Sequence, residues 1–387
     1  MSPIARLRTA ALLSALLVTP LAAQRGTVSG AFVVRLGADT IAVEHYHRKG
    51  NRLEGTEVIR TPATTLRHYV ATVGPTGRVQ SFEYDAHRVA GGAPPTKGTI
   101  RFGPDTTTVT ATINGRDTTL TFAVRNGTPY VNFSYGILEL AMMRVRASKA
   151  DSSVLDLVMI GNPQTVPATL RRVGRDTLTI SMFEQAAYRA RVDNAGRIMG
   201  LQGLNTTQKV LVDRVKTVDV AAVAAEWARR DAAGQTLGVL SPLDSTVATV
   251  DGAALAIRYS RPARRGRAIM GTVVPYDQVW RTGANAATMF RTDADLIIGG
   301  TLVPAGSYTL WTLPTTNGAA LIVNRQTGQW GTEYDMSKDL ARIPLTMRKL
   351  ATPADRFTMV IEPASAGGVI RYMWDDTQFE VPFTVKR

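Results

Sequence analysis

Four histidines are the only imidazoles in the 387-residue chain, and they stand at positions 45, 47, 68 and 87. His45 and His47 are two residues apart, so in a strand both side chains point to one face. His68 and His87 fall in neighbouring runs of the same kind and can join them. Three or four imidazoles on one sheet face make a site for Zn²⁺ or Cu²⁺, and zinc is the cofactor this set would take. The competing reading is a solvated polar face. No histidine follows Arg88. The C-terminal part therefore cannot run a Ser-His-Asp triad or hold a metal through imidazole. Cysteine is absent throughout, which excludes thiol nucleophiles, thiolate metal sites and disulfides.

What remains for chemistry is carboxylate, guanidinium and indole. Asp293 with Asp295, Glu333 with Asp335, and Asp375 with Asp376 are spaced as acid and nucleophile pairs of a glycosidase could be, if two of them converge. The segment Arg261 to Arg267 carries four arginines in seven residues around Pro262 and Gly266. It can grip an anion, or its arginines can pair with nearby carboxylates or stay solvated. Four of the five tryptophans, Trp280, Trp311, Trp330 and Trp374, lie after residue 240. In Ser307–Pro314 apolar side chains point both ways, which reads as core. Trp280 and Arg281 lie in a turn-rich stretch. With Arg261, Arg267 and Asn285 they form the expected binding set, while no residue is assigned a catalytic role.

These groups need a scaffold. Residues 24–216 read as an antiparallel meander of about ten short strands with period-two alternation and glycine turns, curled into a barrel or half-barrel. Asn114-Gly115 between two alternating runs is the strongest hairpin signal. Tyr135 to Arg146 is the ambiguous stretch, with spacing that also suits a short helix. Residues 217–240 form a helix and linker, with Asp219 as cap, Val220, Val223 and Trp227 on one face, and Gly234 as stop. Trp227 is expected to pack that helix onto the first sheet. Residues 241–387 return to short strands with Gly and Pro turns and read as a β-sandwich. No strand–helix alternation supports a doubly wound sheet. The fold class is mainly β.

Residues 1–23 read as a cleaved signal peptide. Arg6 and Arg8 precede a short apolar run that ends in Leu21-Ala22-Ala23. The run is too short to span a bilayer, and no later segment is long enough. A periplasmic or extracellular location follows as an expectation. The net charge is +14, but the arginines are scattered among aspartates and no nucleic-acid motif is present, so nucleic acid is not the expected partner.

Five segments in order carry a resemblance: Tyr259 to Arg267, Val273 to Asn285, Val303 to Pro314, Asn324 to Tyr334, and Met373 to Lys386. From about Ser241 to Arg387 the chain resembles the bacterial family termed domain of unknown function 2911. The resemblance implies no established activity. The expectation is an exported, non-enzymatic binding or structural protein whose partner is a glycan, a lipid or an envelope protein. The alternatives are a carboxylate-dependent hydrolase of envelope polysaccharide and a lipid carrier using the first sheet.

Overall fold

The computed structural model describes residues 27–113, 116–124, 126–148, 150–159, 164–182, 185–204 and 209–386. The expected signal peptide and the Asn114-Gly115 turn lie outside the described residues.

The first half is one fifteen-stranded sheet. Its strands are β1 (Val28–Leu36), β2 (Asp39–Lys49), β3 (Arg52–Ile59), β4 (Thr65–Val73), β5 (Val79–Arg88), β6 (Thr96–Phe102), β7 (Thr106–Ile113), β8 (Arg116–Ala123) and β9 (Gly127–Tyr130). After helix α1 (Tyr135–Ser148) follow β10 (Ser152–Met159), β11 (Gln164–Arg172), β12 (Thr177–Met182), β13 (Gln185–Val192), β14 (Ile198–Gly203) and β15 (Leu211–Val215). The order runs from β8 down to β1, crosses to β15, and continues down to β10 with β9 at the far edge. Ile113 pairs with Arg116, as a tight hairpin requires. The meander is therefore longer than the ten strands expected. It curls but does not close, because β8 and β9 remain its two edges.

The concave side is filled, which explains the ambiguous stretch. Helix α1 shows almost no polar face: Ile137, Leu138, Leu140, Ala141, Met142 and Val145 are all buried. A helix apolar nearly all round belongs inside a core, and this one plugs the curled sheet. Its seat is a row of cross-strand neighbours: Gly30, Tyr46, Gly55, Tyr69, Tyr84 and Gly98. The glycines make room for the rings. A Cβ on Gly55 would overlap the Tyr69 ring, and one on Gly30 would overlap Tyr46.

Helix α2 (Val220–Ala232) is capped by Asp219, whose side chain accepts from the Ala222 amide. Val220, Ala224 and Trp227 pack on Val43 and Val58, on the convex side of β2 and β3. Arg60 lies 5.9 Å over the Trp227 ring. The linker that follows is pinned to the same sheet: Arg60 donates to the Gln235 carbonyl at 3.1 Å and Thr61 to the Gly238 carbonyl at 3.0 Å.

The second half is a nine-stranded sheet. Its strands are β16 (Leu243–Val250), β17 (Ala253–Ser260), β18 (Thr288–Thr292), β19 (Leu296–Ile298), β20 (Thr301–Val303), β21 (Gly306–Thr315), β22 (Gly318–Asn324), β23 (Asp339–Pro363) and β24 (Gly368–Val385). The 25-residue β23 pairs with β22 at its start and with β24 over the rest. Register breaks at Lys349/Ala354 and Ala354/Thr358 let the strand turn. The sheet thereby folds over itself as a sandwich. Tyr259 on β17 meets β23 across the fold, donating to the Met359 carbonyl and accepting from its amide at 3.0 Å. Trp311 is buried on the side opposite Tyr308 and Leu310, against Ala287 and Ile322. Among the described residues no helix is long and apolar enough to cross a membrane.

Candidate functional site

The four histidines do share the outer face of the first sheet, but the sheet spreads them. His45 stands opposite Thr56, and Thr56 opposite His68. Two strand spacings, about 9–10 Å, thus separate the two histidines. His68 is engaged instead by Glu54, at 2.9 Å. His87 lies opposite Leu66, one pair further along. Among the described residues no group of three or more His, Asp or Glu is placed to hold a metal ion.

The carboxylate pairs do not converge either. Asp293 accepts from the Ala254 amide at 2.7 Å, and Asp295 from the Ala305 amide at 3.0 Å. Glu333 and Asp335 are exposed. Asp335 caps the 3₁₀ turn Met336–Lys338. Asp375 pairs with Arg264 at 3.1 Å and Asp376 with Lys349 at 3.5 Å. Glu333 accepts from the Trp330 amide at 3.4 Å, so each of these groups holds backbone or a cation and none is left as an acid and nucleophile pair.

The arginine loop divides. Arg261 binds Asp244 at 2.9 Å and Thr358 Oγ1 at 2.9 Å, so it fastens β16 to β23. Arg264 is paired as above, and Arg265 reaches across to Asp39 of the first sheet at 2.5 Å. Arg267 has no ion-pair partner of its own among the described residues. It donates to the carbonyls of Arg264 and Ala263 at 2.9 and 2.8 Å. Burial pushes its guanidinium below the ordinary arginine range, and Arg265 adds to this against the pull of the Asp39 carboxylate.

Arg267 belongs to a cleft of about 290 Å³ between the two sheets. Trp280, Arg281 and Asn285 line the same cleft, so four of the five expected binding residues come together and Arg261 does not. The second sheet also lends Trp374, and the first sheet lends Leu36, Phe133 and Lys209. Trp280 is fixed by a 3.1 Å bond from Nε1 to the Gly283 carbonyl and by stacking on Trp374 with ring centres 6.1 Å apart. Asn285 holds a left-handed backbone, φ 60°, and its Nδ2 donates to the Ser241 carbonyl at 3.4 Å. Gly331 packs so closely on the Arg281 stem that a Cβ there would overlap it.

The electrostatics of this cleft are one-sided. Its charged lining residues among those described are Lys209, Arg265, Arg267 and Arg281, and none is acidic. Burial holds Arg281 down to about 10. Burial, then Arg281 and Arg267, pushes the Lys209 ammonium below the usual lysine range. Two buried donors on lining residues, Nη1 of Arg281 and Nε1 of Trp374, have no partner among the described residues. Unpaired buried donors are uncommon and each costs free energy. Such a lining can bind an anion carrying some apolar surface.

Sequence reasoning missed Lys209, which sits in a polar stretch with no periodicity to place it. It also missed a buried network beneath α1. Glu44 accepts from the Tyr135 amide at 2.7 Å, the Gly136 amide at 3.1 Å, and the Tyr69 hydroxyl. Glu57 accepts from Ser134 at 2.8 Å and from Arg67. Glu139 accepts from Tyr46, from the Ile198 amide at 2.7 Å and from Arg214 at 2.9 Å. A signal was present: Glu44 shares strand parity with Ala42 and Tyr46, so it is a carboxylate on an apolar face. The network ties the plug to its sheet; it faces α1, not the cleft.

Residues 241–383 match the family described as a protein of unknown function, DUF2911. Among solved structures, the chain is similar to a β-barrel-like protein of domain of unknown function DUF1849 from Brucella abortus. That likeness has 12% identity and a TM-score of 0.35, covering 49% of this chain and 95% of that one. A DUF1089 family protein from Pseudomonas aeruginosa is similar at 12% identity and a TM-score of 0.32, covering 42% of this chain and 90% of that one. No curated protein sequence matches the chain.

Proposed function

We propose that this is an exported, non-catalytic binding protein, and that its site is the cleft between the two sheets. The ligand is a small anionic molecule with some apolar surface. The observation that carries this reading is a lining without acids among the described residues, in which Arg267, Arg281 and Lys209 form no ion pair while indole and aliphatic groups stand beside them. A partly buried cluster of like charges is costly to keep, and a ligand of opposite charge offsets that cost. The apolar first residues of the sequence support the exported part of the reading.

Neither alternative is favoured by the geometry. A hydrolase needs two converging carboxylates open to substrate; the pairs after residue 240 do not converge, and Glu44 and Glu57, which do stand opposite, are sealed under α1. A lipid carrier needs an open apolar groove, and α1 fills the concave side of the first sheet.

Thermal unfolding in a panel of small anions, with uncharged sugars and chloride as controls at matched ionic strength, tests the reading. A ligand bound only by the native state raises stability by about 2.7 kcal/mol at a hundred times its Kd. At least one organic anion should raise Tm in a saturable way, and Arg281→Met should abolish the rise. A panel in which no anion shifts Tm, or a purified protein that turns over an ester or glycoside through one of its acidic residues, overturns it.

A further inference from the structure

Resting on that binding reading, the geometry points to the kind of anion: a phosphomonoester-class dianion that bridges the two sheets, held by Lys209 from the first and by Arg267 and Arg281 from the second.

The three cations come from both halves of the chain. Lys209 precedes β15 and is anchored by Val210, which is 3% exposed in the core of the first sheet. Arg267 ends the arginine loop, and Arg281 follows Trp280, so both belong to the second sheet. The halves already meet here through one matched pair, Arg265 with Asp39 at 2.5 Å, beside a hydrogen bond from the Ala38 amide to the Arg265 carbonyl at 2.9 Å. Asp39 is thereby engaged. The adjoining residues 205–208, Asn-Thr-Thr-Gln, contain no acid either.

Charge balance then selects the ligand. Three cations that form no ion pair among the described residues converge from two sides, and the nearby Asp39 carboxylate is already paired with Arg265. A monoanion would leave two of them unmatched in a partly buried site, whereas a dianion leaves one. Arginine forks suit the oxygens of a phosphate or carboxylate, and a lysine adds a point charge. A phosphate monoester is doubly charged above its second pKa of about 6 and offers several acceptor oxygens to groups approaching from different directions. Size limits the rest of the molecule. At about 290 Å³ the cleft is at the lower end of ligand sites, which begin near 300 Å³. It suits a compact phosphorylated metabolite and not a lipid with its chains. Trp280, Val273 and Leu36 give the remainder an apolar wall.

Calorimetric titration with glucose 6-phosphate, inorganic phosphate and acetate at constant ionic strength tests this. The phosphomonoester should bind at least tenfold tighter than acetate at pH 8. Its affinity should fall roughly tenfold between pH 8 and pH 5, as the phosphate loses one charge while the three cations keep theirs. Lys209→Gln should weaken binding about tenfold with Tm of the free protein retained or raised, Lys209→Arg should restore most of it, and exposed Lys216→Gln should change nothing. If inorganic phosphate binds as tightly as the ester, the dianion alone is the determinant and the bridging geometry still stands. If acetate and the phosphate ester bind equally, or Lys209→Gln leaves affinity unchanged, the bridging dianion is wrong while an anion site survives. If no anion of the broader panel binds, the binding reading falls with it.

Discussion

Glu44 on β2 and Glu57 on β3 stand directly opposite one another in the strand register, both without solvent exposure, under the first turn of α1. Two carboxylates so placed cannot both ionise cheaply. Arg67 lies against Glu57 and offsets its charge. Glu44 is served by two backbone amides and a tyrosine hydroxyl, with no cation bonded to it among the described residues.

The pH dependence follows from that asymmetry. Burial, and then Glu57, pushes Glu44 from its usual value to about 8. Burial also raises Glu57, against the pull of Arg67. An acid whose folded pKa exceeds its unfolded value binds an extra proton in the native state between the two. Stability should therefore fall as pH rises from about 4.5 to 8, and stay low above that. Chemical denaturation between pH 5 and 9 should show this decline, and Glu44→Gln should flatten it. A native state that gains stability over the same window would contradict the assignment.

The glycine–tyrosine row predicts a steep size limit at Gly55. Alanine there must displace the Tyr69 ring, whose hydroxyl holds Glu44. Overpacking of this kind costs roughly 1–3 kcal/mol. Loss of the Tyr69–Glu44 bond should add to it, and loosened α1 should exchange its amide hydrogens faster. Gly50→Ala, at a turn with nothing within 4 Å of the new methyl, makes the comparison. Because Gly50 has φ 60°, its cost comes from the backbone alone. It should leave α1 exchange untouched.

Trp227→Ala should detach α2. The indole is 6% exposed and packs with Val220 and Ala224 on Val43 and Val58. Truncating a buried tryptophan costs about 3–5 kcal/mol when the site cannot collapse. A surface helix can retreat, so the expected loss lies at the lower end. Hydrogen exchange should localise it to Val220–Ala232 and the linker. Protection lost evenly through both sheets would show instead that α2 is part of the global core.

The elements legible in sequence were those whose pattern a single face decides. Helix α2 has one apolar stripe and an Asp219 cap, and strands such as β7 and β8 alternate cleanly. Helix α1 was ambiguous because it is apolar nearly all round, so periodicity had nothing to contrast. Two outer-face residues of β2, Ile41 and Val43, are buried although its inner face is also apolar. For Val43 the cause is α2 lying over it, which no local pattern announces. Trp280, Arg281 and Asn285 share one turn-rich segment, so their lying close together was readable, but the burial of Trp280 and Val274 in the second core was not. The division within the arginine loop was not readable. It depends on which arginine meets Asp244, Asp375 or Asp39, and those partners lie between 17 and 226 residues away.

The last expectation concerns what the cleft costs the free protein. Arg281 is largely buried, and among the described residues its guanidinium carries a donor with no partner and no carboxylate lines the cleft beside it. A base whose folded pKa is depressed is penalised at every pH where it remains charged, and the penalty is relieved only between the folded value, about 10, and the ordinary arginine value. At neutral pH the whole penalty is therefore present. Replacing a buried ion pair by apolar side chains of similar volume is often neutral or stabilising, by up to about 4 kcal/mol, and a charge without a partner has still less attraction to lose. Methionine keeps the stem that packs on Gly331 and removes the charge. Arg281→Met should thus raise Tm in ligand-free buffer and lower the response to anions in the same preparation. Arg261→Met should do the opposite in buffer, because Arg261 is matched by Asp244 and Thr358 and its loss leaves them unpaired. Should Arg281→Met destabilise the free protein as much as Arg261→Met does, the arginine would be a fastening of the fold and not a group held ready for a ligand.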